Sequence, residues 1–71
     1  DMSRTETVAL AESLRQLVEQ ADILPGYPVT ISLGVAFWHG ADDSSVDIFK
    51  RMDEALYRAK RSGRNNVVTE L

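Results

Sequence analysis

The chemistry open to this chain is concentrated in one stretch. Between Ala55 and Asn65, A-L-Y-R-A-K-R-S-G-R-N, four of the eight basic residues (Arg58, Lys60, Arg61 and Arg64) occur with no acidic residue among them. Cations at the end of a helix and in the turn after it can receive an anion, a phosphate above all, because fixed positive charge stabilises phosphoryl oxygens without itself reacting. A plainer role competes with this one. The C-terminus of a helix carries negative dipole charge, so Lys60, Arg61 and Arg64 are favourable there with no ligand at all. On the residues alone the two readings are even. His39, the single histidine, stands near Asp42 and Asp43 beside a glycine, and a metal site can be imagined there; a lone loop histidine is more often simply solvated. Phe37 and Trp38 are read as packing, since the alternating strand aromatics of a nucleic-acid platform are absent.

The chain as a whole bounds these possibilities. Seventy-one residues make at most one small domain, with 44% hydrophobic and 27% charged residues, the composition of an ordinary globular protein. The net charge of −3 conceals an asymmetry: residues 1 to 43 sum to −5 and residues 44 to 71 to +2. That balance favours a local anion contact over a long phosphate track, and argues against a nucleic-acid partner. There is no cysteine, which removes disulfides, thiolate metal sites and thiol chemistry. No apolar run is long enough to span a bilayer, so no direct membrane contact is expected of this segment, and Asp1-Met2-Ser3-Arg4 has no signal-peptide pattern. A chain that begins on Asp1, with Met2 second, reads as one from which something upstream has been removed.

The elements that must position the basic stretch can be read in order. Ser3 and Glu6 have capping-box spacing, predicting a helix over about 4–21 with Leu10, Leu14, Leu17, Val18 and Ala21 as its buried stripe and Arg15–Glu19 as a pair across one turn. Leu24-Pro25-Gly26 turns the chain. A strand over about 28–37 follows, with Val29, Ile31, Leu33 and Val35 on a large-residue face. Its other face, Thr30, Ser32, Gly34 and Ala36, leaves room for close approach by a helix, another backbone or a ligand, a helix being the commonest tenant. Ser44 and Asp47 cap a second helix over about 45–62, with Ile48, Phe49, Met52, Ala55, Leu56 and Ala59 as its apolar stripe and Asp47–Arg51 and Glu54–Arg58 as solvated pairs. On that helix Asp53 and Lys60 fall about 20° apart. Gly63 suits the left-handed closing position, and a last strand covers about 66–70.

Three strings, A-E-S-L-R from Ala11, T-I-S-L-G-V-A from Thr30 and D-E-A-L-Y-R-A-K-R-S-G-R-N from Asp53, resemble the C-terminal portion of the GGDEF domain of bacterial diguanylate cyclases. The resemblance covers essentially the whole chain, and the last string is the most specific. It implies an α/β (α+β) fold: an αβαβ piece of a ferredoxin-like, nucleotidyl-cyclase-type palm with a mainly antiparallel sheet, residues 1–71 being the later part of a single GGDEF domain. It implies, for the intact parent, condensation of two GTP into cyclic di-GMP and pyrophosphate by a homodimer of such domains, in the cytoplasm or anchored through upstream segments. Mg2+ or Mn2+ is held in the family by carboxylates of the first strand and the Gly-Gly-Asp/Glu-Glu-Phe hairpin, neither of which is in this chain. No catalytic and no metal residue is therefore carried over, and these 71 residues alone are expected to be inactive.

What does carry over is Lys60 and Arg64, matching the family's contacts to the β- and γ-phosphates of GTP. Arg58 and Arg61 have no such assignment and are expected to be solvated; Asp53 is read as structural, pairing near Lys60. Where many members place an arginine that helps hold inhibitory cyclic di-GMP, this chain has Ser13, flanked by Glu12 and Arg15, which weakens product inhibition. The alternatives are a degenerate, non-catalytic GGDEF domain that binds GTP or cyclic di-GMP as a regulatory module, and an unrelated small anion or RNA binder, which salt-sensitive RNA binding would revive. A chain lacking strands of its sheet is also expected to leave apolar faces uncovered and to self-associate.

Overall fold

The structure is a computed structural model that describes residues 3–70; Asp1 and Met2, on which the expectation of an upstream segment rests, lie outside the described residues, as does Leu71. The element order is α1 (Arg4–Gln20), β1 (Leu33–Val35), α2 (Ser45–Arg61) and β2 (Val67–Thr69). Both helix starts form as the capping residues require. The Ser3 hydroxyl accepts from the Glu6 N–H at 3.1 Å while the Ser3 N–H donates to Glu6 Oε1 at 3.1 Å, and the Ser44 hydroxyl accepts from the Asp47 N–H at 3.1 Å. The bond to Ser3 holds the Glu6 carboxyl below the usual range. At residues 24–27, Tyr27 N–H donates to the Leu24 carbonyl at 2.9 Å, with Pro25 and a left-handed Gly26 (φ +84°) between them. No described helix is long and apolar enough to cross a membrane.

The expected antiparallel relation does not hold for this sheet. β1 and β2 pair in parallel, with Leu33 opposite Val67 and Val35 opposite Thr69. The physical reason is the connection: a 17-residue helix between two strands is a crossover, which returns the chain to the same end of the sheet, whereas an antiparallel neighbour can follow from a short hairpin. The strands are also shorter than the alternation predicts. The ladder is bracketed by Leu33 N–H to Asn66 O at 2.9 Å and Glu70 N–H to Val35 O at 2.8 Å; Val29 to Ser32 extend beyond the reach of β2.

α2 is seated on β1 through Gly34. A Cβ there would lie 2.4 Å from the Leu56 nitrogen and 2.7 Å from the Met52 carbonyl oxygen, so strand and helix meet backbone to backbone. The small face of the strand is thus occupied by a helix, and Ala55 and Ala59 beside the contact are fully buried. The rest of the expected core is not closed. Leu10, Leu14 and Leu17 are exposed, as are Phe49 and Ala21, and α1 instead turns Ala11 inward, flanked by half-buried Val8, Arg15 and Val18. Two three-residue strands present too little apolar surface to cover both helical stripes. The radius of gyration, 13.7 Å, exceeds the roughly 11 Å of a compact chain of this length. The extents of 48 × 25 × 16 Å describe an open plate.

Candidate functional site

The basic stretch closes α2 and turns back toward α1. After the cap residue Ser62, Gly63 takes φ +109°, and the Arg64 N–H reaches back to the Ala59 carbonyl at 3.2 Å, the six-to-one bond of a Schellman closure. The left-handed conformation does not stop at glycine: Arg64 has φ +63° and Asn65 φ +48°. Such torsions cost a non-glycine residue about 1–2 kcal/mol, with Asn tolerating them best, and persist only where neighbours hold them.

Those neighbours come from α1. Arg15 Nη1 donates to Asn65 Oδ1 at 2.9 Å, and Asn65 Nδ2 donates to Glu19 Oε2. Arg15 is itself fixed by a fork onto Glu12, Nε to Oε1 at 2.8 Å and Nη2 to Oε2 at 2.6 Å, with Glu19 Oε1 at 3.4 Å completing the expected pair. Gln16 Nε2 also donates to Glu12 Oε2 at 3.1 Å. The Glu12 hydrogen bonds raise the Arg15 pKa above its ordinary value despite desolvation, and Arg15 in turn holds the Glu12 carboxyl low. The sequence reading of Arg15 stopped at its pairing with Glu19; the missed signal was an Asn directly after Gly63-Arg64, a residue type able to hold a left-handed position.

The four cations of the stretch divide into two kinds. Arg58 is not solvated: it is half-buried and Nη2 donates to the Thr69 carbonyl at 3.1 Å, tying α2 to β2 in place of the expected pair with Glu54. Arg61 lies along Tyr57, with Nη1 2.9 Å from the phenolic oxygen and the guanidinium 5.7 Å from the ring centre. Lys60 and Arg64, by contrast, are exposed, and among the described residues neither side chain makes a hydrogen bond or an ion pair. Asp53 makes no ion pair with Lys60 either; it lines a cleft of about 290 Å³ with Ser32, Gly34 and Phe49. Ser13 is exposed on α1.

A second polar cluster sits at the other end of α2. Arg51 leaves Asp47 and reaches Asp43 with both terminal nitrogens, the Phe37 carbonyl at 2.8 Å and Glu70 Oε2 at 3.1 Å. His39 Nε2 lies 2.7 Å from Glu70 Oε2, and the His39 backbone N–H donates to Asp43 Oδ2 at 2.9 Å, so this histidine, exposed as a loop histidine is expected to be, is also engaged with both carboxylates. The Phe37 N–H also donates to Glu70. The Arg51 hydrogen bonds drive Asp43 well below the carboxylate range. Burial raises Glu70, but the Phe37 N–H, His39 and Arg51 outweigh it and leave it low. With both carboxylates taken, no group of three or more His, Asp or Glu among the described residues is free to hold a metal ion.

Comparison with known proteins adds the family. The model of the diguanylate cyclase GGDEF domain matches residues 1–66. Among curated proteins the chain is similar to diguanylate cyclase DgcM of Escherichia coli K12, 46% identical over 63 residues, covering 86% of this chain and 15% of the relative. It is similar also to diguanylate cyclase A of Treponema denticola, 38% identical over 68 residues, covering 92% of this chain and 18% of the relative. A third, the response regulator PleD of Caulobacter vibrioides, is 36% identical over 73 residues, covering 96% and 16%. The chain thus spans under one fifth of the length of these relatives. No solved structure matches it.

Proposed function

We propose, from the premise that this chain belongs to the GGDEF family of diguanylate cyclase domains, that it is the phosphate-holding later part of a domain that condenses two GTP into cyclic di-GMP and pyrophosphate. Lys60 and Arg64 contact the β- and γ-phosphates. The observation that carries this reading is the division of the basic stretch: two of its cations are spent on Thr69 and Tyr57, and the two that the family resemblance singles out remain exposed and unpaired among the described residues. Charge builds on pyrophosphate as it leaves, and cations fixed at its oxygens lower that barrier without proton transfer.

The divalent ion the family implies does not fit the residues here, because Asp43 and Glu70 are already committed to Arg51, His39 and Phe37. Its carboxylates belong outside these 71 residues, which alone do not turn over GTP. The reaction pairs two such domains, each presenting its own GTP, in the cytoplasm. Inhibition by product through α1 is weak: Ser13 offers no cation, and Arg15 is locked onto Glu12 and Asn65. In the intact protein, Lys60→Ala and Arg64→Ala should each lower kcat/KM for GTP about 10- to 100-fold, the worth of a charge-assisted phosphate contact. Unchanged kinetics in both variants would remove the assignment. An intact protein that binds GTP tightly and forms no cyclic di-GMP would be the non-catalytic regulatory module.

A further inference from the structure

The turn that carries Arg64 is built at a cost in backbone strain, and the side chains that hold it come from an element some fifty residues away. Arg64 itself bonds only through its backbone, to Ala59, among the described residues. Asn65 is different: its amide group is held on both atoms, the oxygen by Arg15 and the nitrogen by Glu19. Arg15 cannot swing, since its Nε and Nη2 are forked on Glu12 and its side chain is only 13% exposed. The side-chain amide, held at both atoms, anchors the Asn65 Cα on one side of Arg64, and the Arg64 N–H on the Ala59 carbonyl anchors the other, so the backbone from which the Arg64 side chain leaves is held on both sides.

We infer that Arg15, Glu19 and Asn65 form a positioning device for Arg64, by which α1 aims the phosphate-contacting guanidinium. The inference rests on the phosphate role proposed above for Arg64. It gives α1 a part in substrate use that needs no contact between α1 and the substrate. Arg15 and Asn65 are positioning residues; only Arg64 meets the phosphate. A bidentate cation misdirected by an ångström loses most of its advantage over solvent, so the device acts through alignment rather than charge.

The test uses the intact domain and reads kcat/KM for GTP together with backbone 15N relaxation at Arg64. Asn65→Gly tolerates the left-handed torsion and removes only the tether, so the domain keeps its fold. This variant should lower kcat/KM about 5- to 20-fold and raise the mobility of the Arg64 amide, yet have under about 2-fold effect in an Arg64→Ala background, the signature of two residues acting through one interaction. Combining Asn65→Asp with Glu19→Gln reverses donor and acceptor while keeping a side-chain bond across the same gap, and should restore most of the activity. An Arg64→Ala variant without effect would overturn the phosphate role and this device with it. If Arg64→Ala is impaired but Asn65→Gly leaves the Arg64 amide unmoved, or loses activity equally in both backgrounds, the positioning role alone falls.

Discussion

The two ends of α2 handle charge in opposite ways. At its start, Arg51 is surrounded by Asp43, Glu70 and the Phe37 carbonyl, every one within hydrogen-bonding or ion-pair reach, and both carboxylate side chains are at most 5% exposed. At its end, Lys60 and Arg64 stand in solvent while acidic side chains nearby, Glu12 and Glu19, are taken up by Arg15 and Asn65. Both clusters are rich in charge. The first is closed and joins the loop, the helix and the end of β2; the second has cations left over. Partner accounting, more than charge density, separates a structural clamp from a surface able to receive an anion.

The largest effect should come from breaking what the two ends share. Gly34→Val drives a side chain into the α2 backbone at Leu56 and Met52 and should cost at least about 3 kcal/mol, unseating clamp and phosphate turn together; circular dichroism melting of the intact domain measures it. Next come substitutions that should separate the ends. Lys60→Ala or Arg64→Ala should reduce GTP turnover as stated above with the melting temperature within about 2 °C of the parent, whereas Arg51→Met should lower it by about 5 °C or more with KM for GTP little changed. Equal behaviour of the two classes would erase the distinction.

A smaller effect is expected from acid. Asp43 and Glu70 titrate lower in the folded chain than their ordinary values of 3.8 and 4.5, so unfolding takes up protons in acid and these groups contribute stability above that range. Stability should decline as pH falls below about 4.5, and Asp43→Asn should flatten the decline. A denaturant midpoint measured between pH 6 and pH 3 decides this. Dilution gives the smallest signal: the uncovered Leu10, Leu14 and Leu17 face should make the 71-residue chain associate at micromolar concentration, which sedimentation would detect.

Features set by neighbours in sequence were legible, and features set by competition across the fold were not. Ser3 with Glu6, Ser44 with Asp47, and Gly63 each act within one turn of the chain, and each does what its spacing predicts. The small strand face predicted a close tenant, and Gly34 has one. The pairs Asp47–Arg51 and Glu54–Arg58 failed because the arginines met better acceptors: Asp43 in the loop leading into α2, and Glu70 and the Thr69 carbonyl, which come near only once β2 is in place. The buried side of α1 was misread for a related reason. A leucine stripe states what a helix can bury, but which side is buried depends on the surface offered, and this sheet offers room chiefly for Ala11.

The link between Asn65 and α1 also bears on the order in which the molecule assembles. Gly34 meets α2 across roughly twenty residues of chain, a loop cheap to close, whereas Arg15 and Asn65 are fifty residues apart. The strand–helix–strand unit, with the turn that joins α2 to β2, can therefore form before α1 docks, and the Asn65 tether that fixes the direction of Arg64 would close after it. Native-state hydrogen exchange should find the Arg64 amide opening with α1, at lower free energy than the amides of Ala55 and Ala59. Substrate affinity would then mature late, as a final act of folding and not as a property of the helix that carries the cations.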